Sequence, residues 1–213
     1  MAGSNKFTVN QALLGAYIKE IRKAATELCT SQDRVAQSFV VLGNSWSDNV
    51  YLKTGEQLSD ISETKGKLYT ALCKAIESVT EYHNKYVEIY ELGNDHLLRV
   101  SPMAPYKKRI RKEDIMRRNG SGNDVTDLAA MEALMRDIKQ YILTVDEIMS
   151  SIKRNHGRIV ESRSWVAPQC DQMTEIIAAI SKKMRVQLEE LAFLNKYIAK
   201  KHDDIVILNK KKF

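Results

Sequence analysis

Apolar side chains recur along this sequence at alternating steps of three and four residues, and they do so in four separate stretches. The first comprises Leu14, Ile18, Ile21, Ala25, Leu28, Val35, Phe39 and Leu42, with one polar gap at Gln32. The second runs through Leu58, Ile61, Leu68, Leu72, Ala75, Val79, Tyr82, Tyr86 and Ile89, interrupted by Lys65. After residue 125 come Leu128, Met131, Met135, Ile138, Ile142, Val145, Met149, Ile152 and Ile159, and then Met173, Ile177, Ile180, Met184, Leu191, Leu194, Ile198 and Ile205. This spacing keeps one face of an α-helix apolar and cannot line one face of a strand. With only 9 glycines and 3 prolines in 213 residues, a turn-rich sheet protein is disfavoured.

The breaks between stripes carry helix-ending chemistry. Gly43-Asn44-Ser45 and Gly93-Asn94 are expected to close helices through a left-handed cap. Asp127 or Thr126 can cap the third helix, and Pro168 suits the first turn of the fourth. Helices of about 30–40 residues are roughly 45–60 Å long, and short turns between them force antiparallel hairpins. The expected fold is all-α: an elongated antiparallel four-helix bundle from two tandem helical hairpins. Residues 1–94 form the first hairpin, 95–125 a connector, 126–208 the second hairpin and 209–213 a basic tail.

The halves read as copies. Setting Trp46 on Trp165, 119 positions later, also sets Ile61 on Ile180, Ser62 on Ser181, Leu72 on Leu191 and His83 on His202. One further residue of offset before the turn sets Leu14 on Leu134, Ile18 on Ile138 and Leu28 on Ile148. Apolar matches arise for any two amphipathic helices in register, so the tryptophans, each preceded by serine, carry the comparison. Each hairpin has an apolar seam that needs a partner, and the other can supply it about a pseudo-twofold axis.

The net charge of +6 is local. Residues 107–118, KKRIRKEDIMRR, hold seven basic and two acidic side chains, and Lys210, Lys211 and Lys212 add three more, leaving a nearly neutral body. Breaker-rich sequence flanks the cluster, Ser101-Pro102-Met103-Ala104-Pro105 before it and Asn119-Gly120-Ser121-Gly122-Asn123-Asp124 after it, so local order should be weakest here. No apolar run approaches the roughly 20 residues of a membrane span. The Met1–Lys6 segment does not read as a secretory signal, which points to the cytoplasm or to export by a signal-peptide-independent route. Cys29, Cys73 and Cys170 lack paired spacing and read as buried, reduced thiols.

Catalytic chemistry finds little support. His83, His96, His156 and His202 are isolated and read as surface or boundary residues. No metal-ligand spacing, phosphate-binding glycine loop or Glu-x-x-His pair is present. No enzyme, cofactor or metal is expected.

A helix, a tight turn with tryptophan and a second amphipathic helix within about 85–90 residues resembles the WXG (Trp-x-Gly) family of type VII secretion systems. Trp46-Ser47-Asp48 and Trp165-Val166-Ala167 occupy the motif's place, and both lack its glycine. The resemblance covers both halves and excludes the connector. It implies hairpins paired antiparallel, here fused in one chain. The family's Tyr-x-x-x-Asp/Glu export signal is absent after either hairpin: Tyr86 is followed at that spacing by Tyr90, Tyr90 by Asn94 and Tyr197 by Lys201.

The expected function is a non-catalytic protein-interaction component whose partner is another, helical protein. Its contact residues would be Trp46, Trp165, Tyr82, Tyr86 and Tyr90. Tyrosine and tryptophan bury large areas at low entropic cost, although rings at these places also serve to pack against a neighbouring helix or cover the end of a core. The alternative is association with nucleic acid or anionic lipid through Lys107, Lys108, Arg109, Arg111, Lys112, Arg117, Arg118 and the lysine tail. Against that stands the bland reading of the cluster as a solvated surface segment.

Overall fold

The computed structural model describes residues 10–46, 48–110, 115 and 127–211, and no strand occurs among them. Among the described residues the helices are α1 (Gln11–Thr30), α2 (Asp33–Leu42), α3 (Asn49–Ile89), α4 (Leu128–Glu161) and α5 (Pro168–Lys211), with a 3-10 turn at Asn94–His96. None is long and apolar enough to cross a membrane.

Side-chain oxygens start three of them. Asn10 accepts from the Leu13 amide, Asp48 from the amides of Val50 and Tyr51, and Asp127 from Ala130. Each satisfies donors that the first helical turn leaves unpaired, at about 1 kcal/mol per cap. Pro168 opens α5 as its missing N–H requires. The ends differ from expectation. Gly43 stays in the right-handed region at φ −62°; the positive-φ residues that directly follow α3 and α4 are Glu91 and Arg163, with Gly93 at φ 94° two residues after Glu91. The backbone of Leu92 reaches the Val87 carbonyl at 3.1 Å, a Schellman-type closure that fixes the Glu91 conformation from outside.

The first stripe is not one helix. It breaks at Ser31–Gln32, between α1 and α2, where the polar gap in the pattern falls. Gln32 is buried, so its amide must find partners inside the protein. The Ser62 hydroxyl donates to its Oε1 at 2.7 Å, and its Nε2 donates to the Lys107 carbonyl at 2.7 Å. One hundred and twenty positions later stands Ile152, apolar and buried, and α4 runs through without a break.

α1 packs on α3 and α4, α2 on α4, and α5 on α3 and α4. Each neighbouring pair runs antiparallel. Tyr17 meets His156 and Ser38 meets Asp137. Ser31 meets Lys65 while Phe39 stacks on Tyr51. Gln57 meets Gln187 and Asp48 approaches Lys201. His156 meets Thr174 and Glu132 meets His202. One apolar core threads all of them.

The stretch after residue 94 overturns the expectation of weak order, as far as residues 95–110 are concerned. It is an extended strap laid along α1 and α3, with Leu98, Val100, Met103 and Tyr106 against the core and Ile110 buried. Beyond the 3-10 turn at Asn94–His96, side chains bond much of its backbone. Gln11 donates to the His96 carbonyl, Arg22 to that of Ser101 and Tyr69 to that of Ala104. Asn84 bonds both the N–H and the C=O of Leu98. Two mid-helix glycines of α3 leave room: a Cβ on Gly66 would sit 3.1 Å from the Tyr106 ring, and one on Gly55 would meet both Phe39 and Ile115.

Candidate functional site

Three places bring chemistry-bearing side chains together. The deepest lies beneath the strap. Lys65 is 0% exposed, and its Nζ donates to Ser31 Oγ at 2.7 Å, lies 3.5 Å from the Tyr141 hydroxyl and sits 5.0 Å from that ring's centre. Burial pushes the amine down to about 7, opposed by the Cys29 and Asp33 charges. Burial also pushes the Cys29 thiol and the Tyr141 phenol up. Tyr106 closes the group from the strap, donating to the Ser62 carbonyl at 2.9 Å. Such an amine is a nucleophile near neutral pH, but nothing reaches it unless strap or helices move.

The second place is the turn before α5. Trp165, read from the sequence as a partner-binding ring, is 2% exposed. It lies against Tyr17 and His156 of its own chain, both with ring centres 6.4 Å away. It therefore covers the end of the core and offers no face to another molecule. His156 is buried between the Tyr17 hydroxyl, 3.1 Å from Nδ1, and Thr174 Oγ1, 2.9 Å from Nε2, and burial lowers its pKa. His83 is buried as well. Both correct the surface assignment, because amphipathic spacing alone does not separate a core histidine from a boundary one. Trp46, at the other turn, is half-buried against Tyr51, 6.2 Å between ring centres. Of the cysteines, Cys170 is buried as expected, while Cys29 and Cys73 are only half-buried, and all three are free thiols.

The third is the C-terminal end of α3. Tyr82 is half-buried on the core, whereas Tyr86 and Tyr90 pair at 4.4 Å between ring centres. Tyr90 is 57% exposed, and Ile89 and Leu92 beside it are exposed too. The Gln57–Gln187 register places the start of α5 near Ile76, so the last turns of α3 extend beyond it.

The basic segment is less available than its composition implies. Arg109 holds Asp33 through two contacts, at 2.6 and 3.3 Å. Lys107 is exposed with its carbonyl engaged by Gln32, and Lys108 is half-buried. Arg111, Lys112, Arg117 and Arg118 lie outside the described residues, as does Lys212, while Lys210 continues α5 as helix. Among the described residues no group of three or more His, Cys, Asp or Glu side chains is placed to hold a metal ion.

Sequence reasoning passed over the buried polar group, although its signal was in plain view as the two polar interruptions, Gln32 and Lys65. No family model, curated protein or solved structure matches this chain.

Proposed function

We propose that this chain is a non-catalytic protein-interaction component, built as an antiparallel four-helix bundle of two tandem hairpins about a pseudo-twofold axis. In plan it is similar to a fused pair of WXG-type hairpins, serving as a secreted factor or targeting partner of a type VII-like system. The antiparallel residue pairs between neighbouring helices support the plan. So does the placement of Trp46 and Trp165 at opposite ends.

The observation that carries the interaction reading is the exposed group Ile89, Tyr90 and Leu92, with half-buried Tyr86 against Tyr90, at the overhanging end of α3. Aromatic side chains with few rotatable bonds, clustered with aliphatics outside the core, have the composition of a protein-binding hot spot. The partner is another protein, and a helix is the element that fits a patch one or two turns long. Engagement of Arg109 by Asp33 weighs against the anionic-ligand alternative.

A photo-crosslinking side chain at Tyr90, introduced in the native host, tests this. One discrete adduct of defined mass, lost when Tyr86 and Ile89 become serine and absent from a label at exposed Lys23, supports the reading. Absence of any position-specific adduct refutes it.

A further inference from the structure

Where the strap runs beside α1, the two border a cleft of about 410 Å³, lined by Gly15, Ile18, Lys19 and Arg22 on the helix and by residues 98–101 opposite. That volume is in the range of small-molecule sites. Its charged lining is all of one sign: Lys19, Arg22 and Arg99 are basic, and no lining residue is acidic. Glu20 and Glu27 stand about a third of a turn round α1 from the face that Lys19 and Arg22 share.

These cations are placed but not answered. Arg22 is half-buried, and its donation to the Ser101 carbonyl at 2.6 Å fixes it across the cleft while using one of the five N–H groups of a guanidinium. Lys19 and Arg99 are exposed and have no ion-pair or hydrogen-bond partner among the described residues. The amides of Arg99, Val100 and Ser101 also lack an acceptor there, whereas that of Leu98 is taken by Asn84. A concave surface of one sign, with apolar walls, concentrates the opposite charge.

Gly15 makes the room. A Cβ at this position would meet nothing within 4 Å, so no neighbour in the chain requires a glycine, which costs a helix about 1 kcal/mol. In the second half, 120 positions on, Met135 and Ile142 stand in the places of Gly15 and Arg22, and both pack against the core. The open, basic face is thus particular to the half that carries the strap.

We infer that this cleft binds a small phosphorylated molecule, with its phosphoryl group among Lys19, Arg22 and Arg99 and its organic part against Ile18, Leu98 and Val100. A phosphoryl group offers three terminal oxygens to cations arriving from two elements, where a carboxylate offers two. The planar fork of arginine matches it on both sides of the cleft. The cleft shares no residue with the Tyr86–Leu92 patch, and the inference goes beyond the protein-interaction reading.

Chemical-shift titration of the isotope-labelled full chain with phenyl phosphate, at ~50 mM salt to limit screening, is the test. Saturable shifts at the amides of Gly15, Arg99 and Val100, with Kd below ~1 mM, are expected. Affinity should fall at least tenfold in Arg99→Glu and in Gly15→Glu, and should hold in Lys139→Glu, the counterpart of Lys19 in the second half. Gly15→Glu replaces a helix glycine and sets a carboxylate four residues before Lys19, so its melting temperature should rise while binding is lost. No saturable shift up to ~10 mM phenyl phosphate overturns the site. So does equal affinity for benzoate, binding confined to vesicles containing phosphatidic acid, or an Arg99→Glu variant that binds like the parent. A cleft that fails while Tyr90 still crosslinks would sink this inference alone.

Discussion

Nζ of Lys65 lies 2.7 Å from Oγ of Ser31, at the point where α1 gives way to α2. A buried amine with a hydroxyl and a phenol for company is held by hydrogen bonds, with no carboxylate in contact among the described residues. Its protonated form is therefore penalised by desolvation. Because the folded amine titrates near 7 and the unfolded one near 10.5, the unfolded chain binds more protons between those values, and Lys65 costs progressively more stability as pH falls through that window. Lys65→Met should be more stable than the parent at pH 7 by about 2–4 kcal/mol. The gain should shrink as pH rises toward 10 and stay constant below 7. Urea unfolding of both proteins at several pH values reads it directly; a pH-independent difference would be the contrary result.

Acid acts through His156 in the same sense. Burial holds its folded pKa below the ordinary histidine value, so the unfolded chain takes up a proton first as pH falls below about 6.5. Stability conferred by the neutral ring, bonded to Tyr17 and Thr174, is present at pH 7.5 and drains away below 6.5. His156→Gln should lose about 1–3 kcal/mol at pH 7.5, and the gap should narrow on acidification. A gap of constant size from pH 7.5 to 5 would count against the buried neutral histidine.

Two glycines in long helices are expected to behave oppositely. Gly157 of α4 has open space where a Cβ would go, and Gly157→Ala should raise stability by about 0.5–1 kcal/mol. At Gly55 the same methyl would lie 2.5 Å from Phe39 Cζ, and that ring is stacked on Tyr51 at 4.2 Å. Gly55→Ala should cost about 1–3 kcal/mol despite better helix propensity. Thermal melts of the two variants decide this, and a stabilised Gly55→Ala would mean that Phe39 can move aside.

The tryptophans should separate in the same way. Trp165→Ala empties a buried site beside Tyr17 and His156 and should cost about 3–5 kcal/mol. Trp46→Ala, at a half-buried ring, should cost less than about half as much. Equal losses would be inconsistent with the unequal burial of the two turns.

The all-helical fold and the starts of α4 and α5 at Asp127 and Pro168 follow from periodicity and breaker chemistry, which act over a few neighbouring residues. The sequence also displayed Gln32 and Lys65 as polar faults in two apolar stripes. It could not show that they lie in one group, because 33 positions separate them and only antiparallel packing of α1 and α3 brings them together. For the same reason the proline-bearing stretch after residue 94 looked loose: its hydrogen-bond partners, from Gln11 to Asn84, belong to other helices. Exposure was likewise decided by neighbours. Trp46 and Trp165 stand in similar local sequence, yet one ring is half open and the other sealed, since Tyr17 and His156 close over Trp165 alone. Local sequence set which helices form; the packing of those helices set which side chains remain for anything else to touch.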